Sequence, residues 1–367
     1  MQAVRRFADA AYAVGARRLI SGELGQRRKC NLQVQFIKER IGENMPKTTQ
    51  VVGIGSCTID YFAIVPRLLG PDEKINANRM EIHAGGVTGN NLAQVARLGA
   101  SAGWLGLIGD DESGRLIVRA FEEDGLDVSG IEAVKGEQSS LTWIPVDAEG
   151  ERCIYMFPNV NGKLSVEQVR NRFAPHIRKA KHFHTEASQL PLPPVREGMQ
   201  IAREAGVRVI FDLDVAPSYF AQARLGAEKD LIAALRLVDV LKPCKAAARE
   251  ITGETEYEKI AIKLLTLGPK VVAVTMGAEG SLIASAGSVA HVPAFKVKVV
   301  DSTGAGDAFM GGLSYGLLQG WDHKRVGLFA NACAALCCTK VGARAMGKRD
   351  EVVALIKAQR PAEAMGF

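Results

Sequence analysis

The stretch VVDSTGAGDAFMGG, residues 299–312, sets three tiny residues and a carboxylate at the head of an apolar run. Gly304, Ala305 and Gly306 leave the backbone open to close approach, and Asp307 follows directly. At a helix N-terminus the first N–H groups have no intrahelical partner, and the helix dipole favours negative charge. Phosphoryl transfer is the chemistry that would use this pattern. The N–H groups would hold the charge that develops on the phosphoryl oxygens, and Asp307 would take the proton of an attacking hydroxyl. The same spacing also fits an ordinary turn with an acidic first-turn residue, and spacing alone does not choose between the two.

Such a group needs rigid neighbours. KVKVV (296–300) reads as a strand ending at Asp301, with a helical pattern starting near Gly306. Nearer the N-terminus, VVGIGS reads as a buried parallel strand. In HAGGVTGNNLAQVARLGA the glycines make a turn, Thr88 is the candidate N-cap, and Leu92, Val95, Ala96 and Leu98 form a helical stripe. AGWLGLIGDD reads as a strand, and GRLIVRAFEEDG as a helix closed by Gly125. Strand candidates at 181–185, 207–212, 237–241 and 270–275 alternate with helix candidates at 193–205, 228–235, 244–252 and 256–267. That alternation predicts an α/β fold, a doubly wound, mostly parallel sheet with helices on both faces. The segments near 61–81 and 138–157 break the rhythm and are expected to form a separate small β-sheet; QSSLTWIPVDAEGERCIYMF reads as a hairpin.

Charge is unevenly placed. Residues 1–48 carry ten Lys/Arg against four Asp/Glu, and the remaining chain is balanced at 36 of each. The first 48 residues are therefore read as a basic extension outside the fold, either a transit-like segment or a non-native start. Met45 is the expected beginning of the folded chain, and 49–367 the domain. A neutral body with few aromatics gives no nucleic-acid face, and no apolar run reaches the length of a membrane span. The seven scattered cysteines read as reduced thiols, which predicts a cytoplasmic location. Cys333 and Cys337 read as core packing rather than as metal ligands.

The motifs together resemble the PfkB (ribokinase-like) family of carbohydrate and nucleoside kinases. DSTGAGDAF resembles the family's C-terminal signature, GGVTGNNLAQVARLGA its N-terminal one, and GDDESG and TMGAEGS its intervening segments, in the family's order over about 50–358. The resemblance implies a ribokinase-like fold with a small β-sheet lid. It implies an enzyme that uses ATP and Mg2+ to phosphorylate a hydroxymethyl group of a small sugar. Asp307 would be the catalytic base and Gly304, Ala305 and Gly306 the anion hole. Asp60, Gly85, Gly86 and Asn90 would hold the sugar, and Thr275, Gly277, Gly280 and Asn331 the ATP. Asp301, Thr303 and Gly342 would supply part of a potassium (K+) site, although Met346 stands where ribokinase-type members carry a serine oxygen. Cys244 and Ala247 replace the family's Asn-x-x-Glu pair, which leaves the magnesium arrangement open. Val87 leans against a phosphorylated acceptor. Arg152 reads either as a partner for an acidic group on the acceptor or as a solvent-facing charge. Two alternatives stay open: a nucleoside acceptor, with Trp143 and Phe62 stacking a base, and a catalytically idle sugar sensor. Exposed lid strands would suit a homodimer.

Overall fold

In the computed structural model the described residues are 49–367. The expectations for the basic extension and for Met45 lie outside them. The larger sheet has nine strands in the order β13-β12-β11-β10-β9-β8-β1-β4-β5. They are β1 (Val51–Ile54), β4 (Ala102–Gly109), β5 (Ile131–Val134), β8 (His182–Ala187), β9 (Arg208–Leu213), β10 (Val240–Pro243), β11 (Val271–Thr275), β12 (Ser281–Ser285) and β13 (Ser288–Val292). The seven strands from β11 to β5 run parallel, and β12 and β13 close one edge antiparallel. Every residue of β1, β4, β8 and β10 is buried, as central parallel strands covered on both faces require.

The pleat divides the core in two. Val209 and Phe211 of β9 join one apolar cluster with Phe183, Val195, Met199, Ile260 and Leu264. Ile210, between them, joins the other with Phe309, Met310, Leu313, Val326 and Ala330. Alternation along one strand therefore feeds helices on opposite faces. The main helices are α1 (Val87–Arg97), α2 (Glu112–Glu123), α3 (Leu192–Glu204), α4 (Lys245–Thr252), α5 (Tyr257–Leu265), α6 (Ala305–Leu318), α7 (His323–Cys337) and α8 (Arg349–Gln359). The strand and helix candidates between 181 and 275 fall on elements of the predicted type.

The small sheet is the expected lid, in the order β3-β2-β6-β7: β2 (Thr58–Ile64), β3 (Arg79–Gly85), β6 (Leu141–Val146) and β7 (Tyr155–Phe157). β6 and β7 form the expected hairpin.

Two local readings are corrected. KVKVV is not a strand: residues 296–300 lie in irregular backbone with no ladder partner. Its Lys/Val alternation mimics a strand's period, but the segment follows the edge strand β13 and has no neighbour to pair with. Val299 and Val300 are exposed, and Val300 N–H bonds instead to the Cys338 carbonyl at 2.8 Å. Thr88 is not an N-cap. It lies inside α1, fully buried, and the cap position is Gly86. The Ser56 hydroxyl, from the turn after β1, accepts the Val87 N–H at 2.9 Å and does the capping from outside the helix.

Candidate active site

Asp307 stands in the first turn of α6, whose N-cap is Gly304. Gly304 has φ 78°, and a Cβ there would collide with the Ala343 carbonyl, so only glycine fits this turn. Of the N–H groups that open α6, that of Ala305 donates to the Ser302 carbonyl at 3.2 Å. From the other side, Asn90 Nδ2 donates to Asp307 Oδ2 at 2.8 Å. The orientation of that amide is itself fixed, because Arg344 Nε donates to Asn90 Oδ1 at 3.0 Å. Burial raises the Asp307 carboxyl well above the ordinary carboxylate range. Asp212 and Asp214 add to the rise, while Asn90 and Lys242 oppose it.

Asp60 lies on β2, and its carboxylate occupies the space a Gly85 side chain would need. Thr58 Oγ1 donates to Asp60 Oδ1 at 2.7 Å. Burial raises this carboxyl too, against the Thr58 and Thr142 hydroxyls. Gly85 ends β3 and Gly86 caps α1, so Asp60, Gly85, Gly86 and Asn90 come together where lid and main sheet meet.

A cavity of about 500 Å³ opens on the other side of α6's N-terminus. Thr275, Gly277, Gly280 and Asn331 all line it, as do Ala305 and Gly306. Asn331 Nδ2 donates to the Val292 carbonyl at 2.8 Å and so fixes one wall. The misread segment 296–300 forms another wall.

Asp301, Thr303 and Gly342 are brought together by the Asp301 carboxylate, which accepts the N–H of Thr303 at 2.8 Å and of Gly342 at 2.9 Å. Burial works against this carboxylate, but those two N–H groups hold it below the usual range. Arg152, at the lid tip, is exposed and acts on Asp301 electrostatically.

Five ionisable residues around the site were not singled out from the sequence, and three of them, Asp212, Lys242 and Glu186, are buried. Asp212 lies on β9 and the exposed Asp214 just after it, Lys242 lies on β10 and Glu186 on β8; Arg344, half-buried, follows Gly342 and Ala343. Lys242 Nζ is 2.7 Å from Asp212 Oδ1, with both side chains almost wholly buried. Burial raises Asp212, and Lys242 opposes the rise. Burial alone would lower the Lys242 pKa, but Asp212, Asp214 and Asp307 outweigh it and keep the ammonium charged. Glu186 accepts the Ser56 N–H at 3.0 Å and the Ser188 hydroxyl at 2.8 Å, and burial pushes its carboxyl up to about 8. A signal was present: VIFDLD, VLKP and FHTEA each carry a charge inside an apolar strand, where an ion needs a partner or a function. Among the described residues no three metal-ligating side chains converge.

A carboxylate in the first turn of a helix, between a cavity and a polar cradle, is an arrangement compatible with phosphoryl transfer. The profile of the pfkB family carbohydrate kinases matches residues 48–349. The chain belongs to that family. Ribokinase of Haemophilus influenzae is 30% identical over 305 residues, spanning 82% of this chain and 95% of that protein. The ATP-dependent ribose-1-phosphate kinase of Halopiger xanaduensis is 33% identical over 310 residues, spanning 84% of this chain and 98% of that protein. Among solved structures, Arabidopsis thaliana ribokinase complexed with ribose and ATP aligns with a TM-score of 0.73 at 25% identity, over 84% of this chain and 99% of that chain. The fold is therefore the ribokinase-like one. These relatives are named for different acceptors, so family membership gives the reaction class and not the sugar.

Proposed function

We propose that this chain transfers the γ-phosphoryl group of ATP to a hydroxymethyl oxygen of a small, uncharged sugar. The observation that carries the reading is the position of Asp307: half-buried, in the first turn of α6, held by Asn90, with the 500 Å³ cavity on one side and Asp60 on the other. Asp60, Gly85, Gly86 and Asn90 bind the acceptor. Thr275, Gly277, Gly280 and Asn331 bind the nucleotide, which the Arabidopsis relative binds as ATP together with ribose. Asp307 accepts the hydroxyl proton, and its raised pKa suits that task at neutral pH. The N–H groups of Gly304, Ala305 and Gly306 receive the charge spreading over the phosphoryl oxygens.

Magnesium fits this donor set through its outer shell. Cys244 and Ala247 offer no oxygen ligand, and the exposed Asp214 is the nearby carboxylate that would meet a hydrated ion. Mg2+ keeps several waters and binds mainly to substrate phosphates, whose charge it would neutralise. Asp301, Thr303 and Gly342 remain the candidate potassium site. Asp301 already accepts two N–H groups, so K+ would share its oxygens.

A sugar is favoured over a nucleoside by the register of the lid. Asp60 pairs with Thr142, and Tyr61 with Trp143, so Trp143 lies on the face opposite Asp60. There it stacks on Tyr61 at 6.3 Å. Phe62, which does share the Asp60 face, is buried edge-on against His83. The outer face presents Met80, Ile82, Trp143 and Tyr155, all exposed; we propose that a second copy covers it.

The test is ADP release with Mg-ATP and a panel of pentoses, hexoses, sugar acids, sulfosugars and nucleosides, in potassium and in sodium. A neutral sugar should be turned over, and Asp307→Asn should lower kcat by about 10²–10⁴ while both ligands still bind. Near-normal turnover by Asp307→Asn would remove it as the base. Sugar binding without turnover in the native chain would mean an idle sensor.

A further inference from the structure

The end of the large sheet away from Asp307 carries a cleft of about 460 Å³ with a strong charge imbalance. Lys181, Arg203, Arg208 and Lys270 line it, and Asp239 is the one carboxylate among its described walls, a net of +3. The topology sets them there. Lys181 immediately precedes β8, Arg208 opens β9, Asp239 precedes β10 and Lys270 precedes β11. These are neighbouring parallel strands, so the four positions fall on one edge. Glu186, Asp212 and Lys242 lie toward the opposite ends of the same strands. Leu317, in the last turn of α6, walls the cleft, while Asp307 stands in that helix's first turn. The two are about 15 Å apart along the helix axis.

One carboxylate cannot serve four cations. Asp239 takes Lys270 Nζ at 2.7 Å and Arg203 Nη1 at 3.7 Å. Lys181 and Arg208 have no carboxylate partner among the described residues. The Arg208 N–H donates to the Lys181 carbonyl at 3.0 Å, which keeps the two residues side by side. Arg208 Nη1 donates to His182 Nε2 at 3.4 Å, and the buried His182 has its Nδ1 3.0 Å from Ser314 Oγ of α6. Burial, with His184, Arg208 and Lys181 adding to it, pushes His182 down to about 2, so the ring contributes no charge. Like charges on adjoining strands repel. On an open surface water and salt screen them, but the walls of a cleft concentrate the field. The C-terminal dipole of α6 sets about half a negative charge against this, too little to balance it.

A second hollow of about 270 Å³ adjoins the first, sharing Arg208, Asp239, Lys270 and Leu317 and adding His323. Arg208 and Lys270 thus stand between two lobes, and an anion in either lobe meets both. Inorganic phosphate would leave most of that space empty, whereas a small organic molecule is of the size that fills it. We propose that this cleft binds a small organic bisphosphate, with one phosphate group in each lobe and Leu317 against its carbon frame. Arg208 presents a planar fork that matches two phosphate oxygens, and Lys181 and Lys270 act as point charges on either side of it. The site is separate from the phosphoryl-transfer centre and does not rest on that reading.

The test titrates the full chain by calorimetry with fructose 1,6-bisphosphate, glucose 6-phosphate, inorganic phosphate and citrate, with excess Mg-ADP present to fill the nucleotide cavity. Fructose 1,6-bisphosphate should bind at least tenfold more tightly than the other three. Lys181→Gln combined with Arg208→Gln should weaken it at least tenfold, since each change removes a charge-assisted contact, and should leave the urea midpoint unmoved. Lys259→Gln combined with Lys357→Gln takes the same charge from exposed positions elsewhere and should leave the affinity within twofold. No binding of the bisphosphate at millimolar concentration overturns the proposal. So does citrate or a monophosphate binding as tightly, an affinity that survives Lys181→Gln with Arg208→Gln, or an equal loss in both double variants. Should the first double variant not fold, Lys181→Gln alone decides: a loss of at least threefold is expected, and an unchanged affinity overturns the proposal.

Discussion

Arg344 gives the sharpest test of how Asp307 is held. Its Nε donates to Asn90 Oδ1, which leaves Asn90 Nδ2 to donate to Asp307. Arg344→Met removes that charge-assisted bond, worth about 1.5–3 kcal/mol. It also removes the guanidinium 4.9 Å from the Phe121 ring, a contact worth about 0.5–1 kcal/mol. Asp124 is not orphaned, because Arg97 Nη2 remains 2.6 Å away. The penalty of about 3–5 kcal/mol for an unpaired buried ion therefore does not apply, and the variant should lose about 2–4 kcal/mol in urea unfolding. The catalytic loss has a separate cause. A free Asn90 amide can turn its oxygen toward Asp307, and a base displaced by an ångström costs about a hundredfold. Because the Asn90 bond lowers the Asp307 pKa, losing it should move the acid limb of the kcat profile to higher pH. Arg344→Lys keeps a charge for Asp124 but cannot present the same fork, so it should recover stability and not kcat. A kcat within twofold in Arg344→Met, with the acid limb unmoved, would refute the reasoning.

Three further outcomes are expected. Gly85→Ala would push a methyl into the Asp60 carboxylate; sugar KM should rise at least tenfold with ATP KM unchanged, and equal changes in both would argue against the cradle. Glu186 stays protonated when folded up to about 8 but ionises from 4.5 when unfolded, so the unfolded state binds fewer protons between those values and stability falls as pH rises. Glu186→Gln should flatten that fall, worth up to about 1.4 kcal/mol per pH unit, in urea melts at pH 5 and pH 8; an unchanged slope would mean that Glu186 is ionised in the fold. Ile82→Asp, on the outer face of the lid, should convert a dimer to monomers in analytical ultracentrifugation, and a native chain already monomeric at micromolar concentration would end the dimer reading.

The sequence made the fold readable because apolar strands and capped helices alternate over most of the chain, and period and turn chemistry are local properties. It made the glycine turn that opens α6 readable for the same reason, since Gly304 to Asp307 are contiguous. What it hid was set by distance along the chain. Lys242 meets Asp212 across two strands, and Arg344 meets Asn90 across 254 positions. Neither pairing leaves a local pattern. KVKVV misled for the opposite reason: its local pattern was right for a strand, and no partner strand was there to use it. Trp143 could be assigned to a face of the lid only once the β2–β6 register was known.

The short run Gly342–Ala343–Arg344 touches three parts of the molecule through three consecutive residues. Gly342 lies against His83 of the lid, the Ala343 carbonyl walls the turn at Gly304, and Arg344 orients Asn90. On the proposed reading, the acceptor cradle and the turn beside the nucleotide cavity thus share one tripeptide. On that reading a change within the tripeptide would reach both sides of the site at once.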